Sequence, residues 1–311
     1  MKAFRKEIIM TLALILFAGW ALASCSGKGG GAGKKVVAVS YPAHKWLVEQ
    51  IAGDDFEVVV LLPPGADSET FDPDMRTMSR LQEADLYLTT STIGFEDAMT
   101  RRLRQTNPDL RIVDVSTGVD FIGGTHAVAS GHAHEDAGVA DPHILGSYVN
   151  AMTVGRNMAL ALDSVRRLSA TDDAESPYMR NLASLLADIG RRQAAAKSMI
   201  DSAGVVGGAF VVMHPSLSYY AADFGLRQVA LERDGKEPSP AQWAERMAEA
   251  ISSHPRVLFY EQGHSEGQAR EVARSLGVDA VGITLTGEDF LDRLDAVTRS
   301  FTSSSASSTD E

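Results

Sequence analysis

Val36-Val37-Ala38-Val39-Ser40 is followed by Tyr41-Pro42-Ala43-His44-Lys45-Trp46-Leu47-Val48-Glu49-Gln50-Ile51-Ala52-Gly53 and then by Phe56-Glu57-Val58-Val59-Val60-Leu61-Leu62. The outer stretches are short, valine-rich runs of the kind that form buried strands. Between them, Trp46-Leu47 and Gln50-Ile51 recur at helical spacing, and Gly53 closes the helix. Strand, helix and strand in so short a span make a βαβ unit, which implies parallel pairing and an α/β fold.

The same alternation runs along most of the chain. Pro73 opens a helix to about Ala84, with Met75, Met78 and Leu81 on one stripe. Asp85–Thr90 and Leu110–Val115 read as strands, separated by a helix around Phe95–Arg104. The pattern lapses from Gly118 to Val139, a Gly-, Ala- and His-rich segment read as a long surface loop. Helical stretches at about Leu145–Arg167 and Pro177–Ser202 follow almost without a break. In the second, Leu182, Leu185, Leu186, Ile189, Ala196, Met199 and Ile200 form one apolar face. At 1.5 Å per residue it spans about 40 Å, long enough to join two lobes. Strands then recur at Ala209–Met213, near Arg227–Leu231, at Val257–Tyr260 and at Ala280–Leu285, with helices at Pro240–Ser253, Glu266–Leu276 and from Glu288 to about Phe301. The expected fold is therefore α/β, with two mainly parallel lobes joined by a long rigid helix. No internal repeat stands out in the sequence.

The ends speak to location. Lys2, Arg5 and Lys6 precede an apolar run from Ile8 to Ala23, too short for a comfortable membrane span and shaped like a secretory signal. Leu22-Ala23-Ser24-Cys25 resembles a bacterial lipoprotein processing site, with Cys25 acylated and becoming the new N-terminus. Cys25 is the only cysteine in 311 residues, so neither an internal disulfide nor a further thiolate ligand is available. The expected organisation is a signal peptide over 1–24, a glycine-rich tether over 25–34, an N-terminal lobe over 35–170, a linking helix over 171–204, a C-terminal lobe over 205–302 and a disordered tail over 303–311. Residues 1–24 carry three positive charges and one negative, so their removal moves the formal net charge from −12 to −14. That acidity argues against nucleic acid as a partner and favours cations near the surface.

Three residues stand where α/β sheets place ligands, just beyond strands or loops. Glu69 follows Pro64-Gly65, His143 sits in Asp141-Pro142-His143 after the long loop, and His214 ends the strand Ala209–Met213. The first two belong to one lobe and the third to the other, so a cleft between lobes would unite them. Imidazole and carboxylate suit zinc, and also manganese or iron. Two histidines and a glutamate can also form a hydrolytic zinc centre, but no His-Glu-x-x-His motif or placed general base accompanies them. A binding protein is therefore expected in preference to an enzyme.

From Val36 to about Thr302 the chain resembles the zinc and manganese receptors of ABC-type importers, the ZnuA/TroA-like family. The resemblance rests on six segments in order: Pro64-Gly65-Ala66-Asp67-Ser68-Glu69-Thr70-Phe71-Asp72-Pro73, Gly94-Phe95-Glu96, Asp141-Pro142-His143, Phe210-Val211-Val212-Met213-His214-Pro215, Tyr220 with Phe224-Gly225-Leu226, and Glu232 with Asp234 to Pro240. It implies a monomeric, lipid-anchored receptor on the extracytoplasmic (periplasmic) face that hands zinc, or manganese or iron, to a membrane permease. It implies Glu69, His143 and His214 as ligands, and it likens His126, His132 and His134 to the histidine-rich loop of zinc members. Two departures stand out. Glu69 replaces the usual histidine, which relaxes the preference for zinc. Thr284 occupies the usual acidic position, leaving the fourth ligand to a water, Glu261 or His264; Glu261 also suits a partner role behind a ligand. A stand-alone metal chaperone or adhesin on the same fold is the alternative. A single long helix between lobes implies modest closure, and ligation by neutral imidazoles implies binding that weakens in acid.

Overall fold

The computed structural model describes residues 34–63, 71–123, 140–167, 176–232, 238–263 and 266–303. Cys25, Glu69, His126, His132, His134 and His264 lie outside them.

The first βαβ unit forms as its residues dictate. Strand β1 is Lys35–Val39, helix α1 is Pro42–Ala52 and β2 is Phe56–Val60. Ala43, Leu47, Val48 and Ile51 give α1 its buried face. Helix α2 (Met75–Gln82), β3 (Leu86–Thr89), α3 (Gly94–Thr106) and β4 (Arg111–Asp114) complete the N-terminal lobe. Its four strands lie in the order β2-β1-β3-β4, and β1, β3 and β4 run parallel. The C-terminal lobe holds β5 (Ala209–Val212), α6 (Ser218–Phe224), β6 (Arg227–Ala230), α7 (Pro240–Ser252), β7 (Val257–Glu261), α8 (Glu266–Leu276), β8 (Asp279–Ile283) and α9 (Phe290–Ser303). Its sheet is ordered β6-β5-β7-β8 and is parallel throughout. The expected pair of parallel α/β lobes is what the chain forms.

Between the sheets come α4 (Tyr148–Arg167) and α5 (Pro177–Ala203). Pro177 starts α5 where its missing N–H costs nothing, and Gly204, at φ 64°, ends it in the left-handed conformation. Leu182, Leu185, Ile189, Ala196 and Ile200 are buried on the expected face, while Met199 at its margin is partly exposed. Helix α5 packs on α1, α4 and α9, so it touches both lobes.

Two local expectations fail. Met75 was expected on the apolar stripe of α2 but is 76% exposed, because the helix starts only at Met75, with Asp74 as its cap. The helical stretch expected from Leu145 breaks at Ser147, leaving a 3-10 turn over Ile144–Gly146 before α4. The Ser147 side chain bonds to Asp223 Oδ2 at 2.6 Å and accepts Asn150 N–H at 3.1 Å, which fixes a fresh helix start.

The lobes are not separate globules. One buried apolar cluster runs from Val37 and Leu86 in the first lobe through Tyr148 and Ile189 to Phe210, Phe290 and Phe301 in the second. A smaller cluster, with Val211, Leu258 and Val272, lines the other face of the second sheet. Polar contacts reinforce the junction: Ala43 N–H donates to Thr286 O at 3.0 Å, Lys45 pairs with Glu288 at 2.8 Å, and Trp46 meets Phe290 edge-on. The Arg192 guanidinium of α5 reaches Asp292 and Asp295 of α9, and Tyr148 O–H donates to Asp295 at 2.7 Å.

Candidate metal centre

His143 is placed by its own tripeptide. The Asp141 carboxylate accepts the His143 backbone N–H at 2.9 Å and stands 2.8 Å from its Nδ1. A carboxylate can only accept here, so Nδ1 carries the proton and Nε2 presents its lone pair toward His214. Burial pushes the Asp141 carboxyl up, but the hydrogen bonds from His143 outweigh it and hold the group below the usual carboxylate range. The 3-10 turn begins directly after His143, with Gly146 N–H donating to His143 O at 2.8 Å. That turn anchors the imidazole's backbone.

His214 comes from the other lobe. Strand β5 continues one residue in extended pairing, with Met213 N–H donating to Phe259 O at 3.0 Å, and His214 stands at its carboxyl end. Ser216 N–H turns back onto His214 O at 2.8 Å, and Gln228 accepts Leu217 N–H at 2.8 Å, so the bend after the histidine is pinned. The two segments nearly touch. A Cβ added to Gly146 would lie 3.2 Å from Ser216 O, so glycine permits the approach.

The consequence is a facing pair of imidazoles. His143 Nε2 and His214 Nε2 are 3.2 Å apart, with ring centroids separated by 4.9 Å and planes inclined by 69°. Two residues 71 apart in sequence thus meet at their nitrogen tips. Glu69, the third expected ligand, lies outside the described residues, as does His264. Glu261 is the last residue of β7 and is half-buried, while Thr284 follows the end of β8. Among the described residues, no group of three or more His, Cys, Asp and Glu side chains could hold a metal ion.

Two groups take roles that sequence reasoning did not assign them. Glu96, at the start of α3, is fully buried and accepts from Ser40 Oγ, from Thr90 N–H at 3.1 Å and from Thr90 Oγ1 at 3.0 Å. Burial raises its carboxyl above the ordinary range, and the donors only partly offset this. It ties together the ends of β1 and β3. The second is Tyr219. The family pattern draws attention to Tyr220, but Tyr220 points into the core, its hydroxyl 2.5 Å from Thr298 Oγ1, and Tyr219 faces the His143 segment. Adjacent residues on a helix point in different directions, and pattern alone does not say which one faces the site.

Comparison with known proteins fits this geometry. Residues 36–304 match the family model described as zinc-uptake complex component A, periplasmic (ZnuA). A relative in Streptococcus pneumoniae, the zinc-binding lipoprotein AdcA, is 25% identical over 272 residues, covering 83% of this chain and 51% of that protein. The chain thus spans about half the length of that relative. A crystal structure of ZnuA superposes with a TM-score of 0.74 at 25% identity, covering 88% of this chain and 99% of the other. A manganese-bound periplasmic metal-binding protein from Candidatus Liberibacter asiaticus shares the fold at a TM-score of 0.71 and 22% identity, with 86% and 98% covered. With its two parallel lobes and the family pattern matched almost from end to end of both, the chain belongs to the ZnuA family of periplasmic zinc-uptake components.

Proposed function

We propose that this chain is an extracytoplasmic receptor that captures a divalent transition metal, zinc foremost, between its lobes and delivers it to an ABC-type importer. One observation carries the reading: the 3.2 Å gap between His143 Nε2 and His214 Nε2. Zinc–nitrogen bonds of about 2.0–2.1 Å at a tetrahedral angle place two ligand nitrogens about 3.3 Å apart. The imidazoles therefore already stand at the separation that a tetrahedral zinc ion requires. Asp141 behind His143 supplies the carboxylate–histidine arrangement that fixes tautomer and raises ligand basicity.

Glu69 is the third ligand in this reading, and a water, Glu261 or His264 completes the set. A carboxylate in place of an imidazole hardens the site and admits manganese or iron more readily. Cys25 carries the lipid that holds the receptor at the membrane, with 25–34 as tether, 35–170 and 205–302 as lobes and 171–204 as the connection. The site serves binding and release, with no catalytic residue assigned. The shared core and the bridging helix favour a small closure on binding over a wide hinge movement.

Zinc titration of the purified chain tests the site. The wild type is expected to take up about one equivalent, and the triple variant Glu69→Ala, His143→Ala, His214→Ala to take up none. Undiminished binding by the triple variant would place the site elsewhere. Affinity should fall as pH drops through the range in which imidazoles protonate, since only the neutral form ligates.

A further inference from the structure

Tyr219 lies in the first turn of α6, five residues after His214. Its hydroxyl donates to Asp141 O at 2.8 Å and accepts Ile122 N–H at 3.3 Å. Asp141 N–H in turn donates to Ile122 O at 2.9 Å. Three residues thus form a closed ring of hydrogen bonds. Ile122 and Asp141 stand at the two ends of the segment 123–140, and Tyr219 joins them from the opposite lobe. Burial pushes the Tyr219 phenol up to about 12, so it keeps its proton throughout the physiological range and can donate and accept together.

From this ring we infer that Tyr219 is a positioning residue for the metal centre: its hydroxyl fixes the Asp141 backbone, and through Asp141 it sets the orientation of His143 toward His214. The inference rests on the metal-site reading above. The chain of contacts has no slack. Tyr219 holds the Asp141 carbonyl, the Asp141 carboxylate holds both the backbone and the ring of His143, and His143 Nε2 faces His214. The Ser218 side chain, next to Tyr219, also helps to draw the Asp141 carboxyl down. The connection that carries one ligand thereby sets the angle of the other. The burial around the Tyr219 ring would survive loss of the hydroxyl, so the effect on His143 can be separated from a packing defect.

The experiment compares wild type, His214→Ala, Tyr219→Phe and Ser218→Ala by zinc-ion competition with a chromophoric chelator. Amide hydrogen exchange is followed in parallel at Ile122 and Asp141. Tyr219→Phe is expected to weaken zinc about tenfold, the lower end of what loss of a group behind a ligand costs. Faster dissociation should carry that loss, and exchange should quicken at Ile122 while amides of β5 and β7 stay as protected as in wild type. Ser218→Ala should shift affinity the same way by a smaller factor, and it serves as the test if Tyr219→Phe does not fold. If wild type binds zinc, His214→Ala does not, and Tyr219→Phe binds like wild type, the positioning role is wrong while the site stands. Exchange accelerated throughout the chain would mean a general structural role and would likewise overturn the inference. A wild type that takes up no zinc removes the site reading itself, and the inference with it.

Discussion

The two sheets share one plan and put it to different uses. In each lobe the first strand lies second in the sheet and the remaining strands follow in the same order, β2-β1-β3-β4 and β6-β5-β7-β8. Strand β1 therefore corresponds to β5, and β3 to β7. Beyond β1, Ser40 donates to the buried Glu96, and Tyr41 packs edge-on against His44. Beyond β5 the chain instead presents His214 to His143. The N-terminal lobe spends its strand end on an internal polar network, and the C-terminal lobe spends it on the imidazole that we propose as a ligand. A common topology fixes where side chains cluster, and the residue at each strand end decides whether that cluster braces the fold or meets a cation.

Exchanging these roles by mutation should expose the difference. The largest effect is expected from His214→Ala, with zinc affinity falling about a thousandfold, roughly 4 kcal/mol, and the melting temperature of the metal-free protein nearly unchanged. Titration calorimetry with a parallel thermal melt would check this, and retained affinity would break the contrast. Glu96→Ala should do the reverse. It strands the Thr90 N–H in a buried site, leaves the Ser40 and Thr90 hydroxyls only Tyr87 and Thr92 as partners among the described residues, and should cost about 3 kcal/mol of stability by urea denaturation.

A third test uses acid. His44 is fully buried, neither ring nitrogen finds a hydrogen-bond partner among the described residues, and burial lowers its pKa to about 3. Between pH 6.5 and about 3 the unfolded chain binds a proton that the folded chain refuses, so folding stability drops as pH falls through that window. From pH 6.5 to 5 the loss from this group should be about 2 kcal/mol. His44→Leu should remove that component, which denaturation of metal-free protein at both pH values would measure. An unaltered acid slope would show that His44 is not the group responsible. The smallest expected change is Gly146→Ala. Its methyl group would press on Ser216 O and part the two histidine segments slightly, weakening zinc about threefold in competition titration, less than loss of a group behind a ligand.

Much of this was legible beforehand because apolar runs and helical spacing are local signals. The first βαβ unit, the buried face of α5, the position of His143 after the long loop and that of His214 at a strand end could all be read from neighbours in sequence. What escaped notice depends on contacts between distant residues. Nothing around Glu96 predicts that Ser40, 56 residues away, will bury it. His44 drew no notice in sequence, and only the packing of α4 and α5 onto its helix shows that position to be interior. The repeated strand order is invisible because pairing, not residue identity, defines it. Met75 misled for the opposite reason: its spacing fits the stripe, but it is the first residue of its helix and nothing packs over it.

The continuous core described between the lobes has a thermodynamic consequence. Because Phe290 and Phe301 belong to the same buried cluster as Val37 and Leu86, neither lobe can melt without exposing apolar surface of the other. On the proposed reading, a cation bound at the imidazole pair would then stabilise the whole fold, adding RT ln(1 + [L]/Kd) to a single cooperative transition. The melting temperature of this chain should therefore act as a gauge of cleft occupancy, ranking metals by the heat the protein withstands in their presence.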